Sequence, residues 1–160
     1  MLININPHNP QERLINRVVS ILQRGGIVVY PTDTVYGLAA PIDNVESIDR
    51  IYVAKGRNTT KAIAVLLGDP DQLDKVAINL TASARKMAEH FLPGPLTLIV
   101  PRHPGLPDVL SSSLSISVRI PDHPVALNLL KTAGPLAVTS ANISGEDSTM
   151  TAKQVLKQLK

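Results

Sequence analysis

The spacing of apolar residues switches between helical and extended along the whole chain, and caps or breakers mark the switches. Leu14, Ile15, Val18, Ile21 and Leu22 recur at helical intervals behind Asn9-Pro10-Gln11-Glu12, which reads as an N-cap, a proline at the first helical position and a capping acid. Gly25-Gly26 stops that helix, and residues 26–30 form a buried, largely β-branched strand. Val45, Ile48, Ile51 and Tyr52 share one face of a helix over residues 44–54, which delivers Lys55-Gly56-Arg57 at its end. "AIAVLL" (62–67) reads as a strand, residues 69–72 open a short capped helix, and Thr81 starts a helix that runs to Phe91. "PLTLIV" is a strand entered through Pro93-Gly94-Pro95. "SISVRI" (115–120) alternates, with Ile116, Val118 and Ile120 on one face and Ser115, Ser117 and Arg119 on the other. Pro124 begins a helix ending near Gly134, "PLAVT" gives another strand with Ser140-Ala141-Asn142 directly after it, and a last helix starts near Thr151.

This order predicts an α/β fold over residues 1–160: one domain, with a twisted mixed β-sheet and flanking helices. It repeatedly sets polar residues just past strand ends, where open α/β sheets bind ligands. Composition narrows the core: three tyrosines and one phenylalanine leave it to Val, Ile, Leu and Ala. With no cysteine there is no disulfide framework and no thiolate nucleophile, which suits a reducing compartment. The first ten residues lack the basic and apolar blocks of a signal peptide, and no apolar run approaches the ~18 residues of a membrane span. A cytoplasmic protein without membrane contact is expected. A formal charge of +3 and a pI near 9.3 favour anionic ligands without naming nucleic acid. Four scattered aromatics make a poor platform for stacking single-stranded bases.

Three polar sets are candidates for chemistry, and each has a plainer reading. Lys55, Arg57 and Lys61 are either cations on a solvated helix end or a phosphate clamp, with Gly56 letting backbone approach a ligand. Residues 139–145, "TSANISG", are either a turn or a cluster of small donors and acceptors for phosphate or ribose oxygens. Arg119 is either an ordinary surface arginine or, on a cleft, a carboxylate binder. In "YPTDTVYG" (30–37), Asp33 reads as a turn residue bonding local backbone. The sequence contains neither GxxxxGK[ST] nor GxGxxG. His8, His90, His103 and His123 have no paired metal spacing, and His123 fits a helix N-terminus.

Together, "GGIVVYPTDTVYGLAA", "KGRNTTKAIAVLL", "LPGPLTLIV", "SVRIPDHPVALNLL" and "PLAVTSANISGE" resemble the YrdC-like family of threonylcarbamoyl-AMP synthases in order and spacing, from about residue 10 to 155. The resemblance implies a concave basic cleft and an enzyme, a nucleotidyltransferase, that makes L-threonylcarbamoyladenylate and diphosphate from L-threonine, bicarbonate or CO2, and ATP with Mg²⁺. Its product feeds a threonylcarbamoyl-transferase complex that modifies tRNA. By the same resemblance Thr34 and Arg119 contact threonine. Lys55 and Arg57 act on the ATP phosphates, and Lys61, Ser115, Ser140, Asn142 and Ser148 lie by the nucleotide. Leu66 stands where the family commonly has a histidine, and Asn58 where it usually has a proline. Members usually continue through a strand with a Ser-Thr pair and a later arginine, so the sequence reads as a short or C-terminally shortened member. Two alternatives stand beside the synthase: a non-catalytic paralogue binding tRNA, duplex RNA or a nucleotide through its basic cleft, and a carbamoyl-adenylate enzyme acting on another acceptor.

Overall fold

Alternation within the strands sorts the side chains of a central sheet into two cores. A computed structural model describes residues 1–159. Its six strands lie in the order β1 (Val28–Pro31), β2 (Tyr36–Pro41), β6 (Leu136–Ser140), β3 (Ala64–Leu66), β5 (Ser115–Arg119), β4 (Leu98–Pro101). β3 and β5 are parallel, and the other neighbours are antiparallel. On one face, Leu38, Ala40, Val65, Val118 and Ala137 pack with Ile48, Ile51 and Tyr52 of α2 (Val45–Lys55), Ala88 of α3 (Ala82–Phe91) and Val155 of α5 (Ala152–Gln158). On the other, Tyr30, Ala39, Leu66 and Val138 meet Ile15, Val19 and Leu22 of α1 (Glu12–Gln23) and Val125, Leu129 and Leu130 of α4 (Pro124–Ala133).

Among the described residues, none from β4 or β5 joins this second core. Their outer face is left uncovered, with Ile99 75% exposed beside the half-buried Ser117 and Arg119. The site forms beside that bare corner, where β5 meets β3, β6 and β2.

Most expected boundaries hold. Asn44, Thr81 and Thr151 each accept a backbone amide at the start of α2, α3 and α5, and Gly25 leaves α1 at φ +76°. Three differ. α1 begins at Glu12 behind Gln11, not behind Asn9. The Asn6 side-chain oxygen, Oδ1, accepts the amides of His8 and Asn9 (2.9 and 3.2 Å), folding that segment into a turn of its own. Residues 36–41, which carry no strand pattern of their own in the sequence, form β2 and make a hairpin with β1. The strands expected over "AIAVLL" and "PLTLIV" are shorter, at Ala64–Leu66 and Leu98–Pro101.

Candidate functional site

The β1–β2 hairpin turns through residues 32–35, and one side chain shapes the turn. The Thr32 hydroxyl accepts the amides of Thr34 and Val35, both at 3.2 Å, and donates to the Val35 carbonyl at 2.6 Å. The hairpin thereby presents Thr34 and Asp33 to Arg119, which arrives on the uncovered face of β5. The guanidinium donates through Nε to the Gly94 carbonyl (2.9 Å), through Nη1 to Thr34 Oγ1 (3.0 Å) and through Nη2 to Asp33 Oδ1 (2.6 Å). Its side chain and that of Asp33 are 13% and 16% exposed. Asp33 is therefore an ion-pair partner of Arg119 rather than a turn residue bonding local backbone.

Lys55 and Arg57 are separated by Gly56 in the left-handed conformation (φ 56°, ψ 36°). There the Arg57 amide donates to the Tyr52 carbonyl, closing α2 as a Schellman stop. The glycine thus serves to end the helix and send the two cations apart. Lys55 turns inward and is 1% exposed. Its ammonium donates to the carbonyls of Ser140 and Asn142, both at 2.5 Å, and contacts Asn142 Oδ1 at 3.4 Å. Burial, with a smaller push from the Arg57 cation, draws its pKa down to about 8. Arg57 turns outward, giving one N–H to the Ala62 carbonyl at 2.9 Å.

Arg57 and Arg119 line a cavity of about 280 Å³ over the β2–β6–β3–β5 part of the sheet. Its polar lining is otherwise hydroxyl: Thr32, Thr34, Thr97, Ser117, Thr139 and Ser140. Gly37, Ala64, Leu66 and Val138 supply an apolar floor. Two fixed guanidiniums and a ring of neutral donors form a receptacle for an anion with further polar groups.

The family model described as "Telomere recombination", Sua5/YciO/YrdC, matches residues 20–160. The chain belongs to the Sua5/YciO/YrdC family. It is 35% identical over 158 residues to the threonylcarbamoyl-AMP synthase of Bacillus subtilis, covering 97% of this chain and 45% of that protein. A putative threonylcarbamoyl-AMP synthase of Methanocaldococcus jannaschii is also 35% identical, with 99% of this chain and 75% of the relative covered. The structure of P. abyssi Sua5 complexed with L-threonine superposes with a TM-score of 0.95 at 33% identity, over 99% of this chain and 47% of that one. The chain thus spans about half the length of the B. subtilis and P. abyssi relatives.

Of the residues that resemblance to this family marked out, Thr34, Arg57, Arg119 and Ser140 line the cavity together. Lys55 and Asn142 do not. They build its support: the Asn142 amide donates to the carbonyls of Ile143 (2.9 Å) and Glu146 (2.7 Å), shaping the turn that Lys55 holds from below. Lys61 and Ser148 are exposed and outside the lining, and Ser115 bonds Ser113 (2.9 Å) at the far end of β5. Thr139, from the polar set at 139–145, also lines the cavity, whereas Thr32, Thr97 and Ser117 escaped sequence reasoning as site residues. Ser117 was findable, because it shares the polar face of β5 with Arg119. No local pattern marks Thr97, which comes from the other edge of the sheet.

Proposed function

We propose that the chain forms L-threonylcarbamoyladenylate and diphosphate from L-threonine, bicarbonate or CO2, and ATP, as a nucleotidyltransferase of the tRNA N6-threonylcarbamoyladenosine route. The observation that carries this reading is the pair of guanidiniums, Arg57 and Arg119, on the wall of one hydroxyl-lined cavity. The names of the relatives and the L-threonine complex of P. abyssi Sua5 support it. In this reading Arg119 takes the threonine carboxylate, since three of its five N–H groups are engaged and two remain. Thr34 stands beside it for the substrate's polar groups. Arg57 faces the phosphates, with the Ser140 hydroxyl beside the nucleotide. Lys55 and Asn142 serve that end indirectly, by holding the turn that carries Ser140.

The reaction needs positioning more than a protein nucleophile. The neutral threonine amine adds to CO2 and loses a proton, giving a carbamate. A carbamate oxygen attacks the α-phosphorus as the bond to diphosphate breaks and its electron pair leaves with that group. Negative charge grows on phosphate oxygens, which Arg57 is suited to stabilise. Confining the carbamate beside the nucleotide contributes up to ~7–11 kcal/mol by removing a bimolecular entropy cost. Among the described residues no group of three or more His, Cys, Asp or Glu could hold a metal ion. Mg²⁺ enters this scheme on the ATP phosphates.

The product is a reactive mixed anhydride, which requires a downstream transferase that passes the threonylcarbamoyl group to tRNA. A cytoplasmic site of action follows from that use. No described helix is long and apolar enough to cross a membrane. The deciding assay incubates the protein with ATP, Mg²⁺, labelled bicarbonate and threonine. Threonine-dependent diphosphate release is expected; release without threonine selects another acceptor. No release, with salt-sensitive RNA binding, selects the non-catalytic alternative.

A further inference from the structure

Arg119 is held on three sides, and the tightest contact comes from a residue outside the cavity lining. Asp33 Oδ1 takes its Nη2–H at 2.6 Å, while Thr34 and the Gly94 carbonyl take one N–H each from Nη1 and Nε. The partners come from two separate stretches of chain, the β1–β2 turn and the Pro93-Gly94-Pro95 turn, and meet the arginine at the end of β5. The carboxylate side chain is 16% exposed, enough enclosure for the charge–charge contact to escape most solvent screening. The phenol of Tyr30 lies in the same neighbourhood, buried without a hydrogen-bond partner, and burial raises its pKa while the Arg119 cation opposes the rise. Tyr30 therefore adds no negative charge near Arg119. His123 feels the Asp33 carboxylate too, but burial lowers its pKa, and its Nδ1 is spent accepting the Val125 amide that starts α4.

We infer that Asp33 is a positioning residue for the carboxylate-binding arginine: it fixes the direction of the two N–H groups that Arg119 has left and neutralises part of its charge. The inference rests on the proposed threonine site. Its consequence concerns selectivity. A guanidinium already paired with one carboxylate attracts a second less by net charge than by aligned donors. The site therefore favours a monocarboxylate whose other groups are matched, such as a zwitterionic amino acid, over dianions that seek bare positive charge. Without Asp33, Arg119 loses a fixed orientation and regains full charge, so affinity for the amino acid falls while that for dianions rises.

Asp33→Asn tests this, since it keeps the shape and removes the charge; Asp33→Glu, which keeps the charge on a longer stem, is the companion. Three quantities are measured on the full chain: exchange of the Arg119 Nε–H by NMR, and calorimetric affinities for L-threonine and for the dianion succinate. In Asp33→Asn we expect Arg119 Nε–H exchange about tenfold faster, L-threonine about tenfold weaker and succinate tighter, with ATP affinity unchanged; tenfold is the size of one weakened charge-assisted contact. Asp33→Glu is expected to fall between it and the wild type. Wild-type Nε–H exchange and wild-type threonine affinity in Asp33→Asn would overturn the inference. A wild-type protein that binds no threonine overturns the proposed function instead, and Nε–H exchange then decides the positioning role alone.

Discussion

Two neighbouring cations, Lys55 and Arg57, have opposite fates, and each makes a separate prediction. Arg57 reaches the cavity wall and bonds the protein once through its side chain, so Arg57→Ala removes charge from the site at little structural cost. Diphosphate release is expected to drop at least about a hundredfold, the scale of losing one preorganised charge partner in phosphoryl chemistry, with thermal stability near wild type. Lys55→Met strands buried carbonyls and is expected to cost roughly 2–4 kcal/mol in urea unfolding. The pH dependence separates Lys55 from other buried groups. Its folded pKa of about 8 lies below the ordinary 10.5, so between about pH 8 and 10 the unfolded chain holds a proton that the folded chain has released. Stability owed to Lys55 therefore rises with pH across that window, and Lys55→Met flattens the rise. Tyr30, raised by burial, acts in the opposite sense above pH 10, where the unfolded state gives up its phenolic proton first. Both lysine and arginine were visible in "KGR", but their directions were not. Lys55 turns inward because of carbonyls 85 and 87 residues away, and Asp33 finds Arg119 across 86. Distances of that order in sequence leave no local signature.

At the scale of elements, the strands that face two environments were the legible ones. β5 alternates Ile116 and Val118 with Ser117 and Arg119, and its period gave both its existence and its polar face. β2 hid for the converse reason: Gly37, Leu38, Ala39 and Ala40 are all buried, so the strand has no alternation, and its small residues between Tyr36 and Pro41 look like loop. That smallness is functional. A Cβ on Gly37 would come within 2.8 Å of Val138 Cγ1, on the strand pair that floors the cavity. Gly37→Ala is expected to destabilise the protein by about 1–3 kcal/mol, read by chemical denaturation, because β2 and β6 must shift to admit the methyl group.

Over the whole molecule, helices cover the second sheet face across β1, β2, β6 and β3 and leave the outer face of β5 and β4 bare. Amide exchange should follow this layout. β6 and β3, paired on both sides and packed on both faces, are expected to exchange slowest, whereas β1 and β4, each with one neighbour, open first. The mixed α/β class was readable from the order of helices and strands, but strand order was not, because β6 inserts between β2 and β3 through contacts set late in the chain. α2 and the chain leaving β6 are clamped at two points: the Lys55 carbonyl accepts the Ser144 amide at 2.9 Å, and its ammonium grips the carbonyls of Ser140 and Asn142. Ser140 sits at this clamp and Arg57 two residues beyond it, so the two cannot drift apart unless buried bonds break. The width of that end of the cavity is gauged by the reach of one lysine stem. A side chain one methylene shorter at position 55 would re-space the receptacle from behind, without itself entering it.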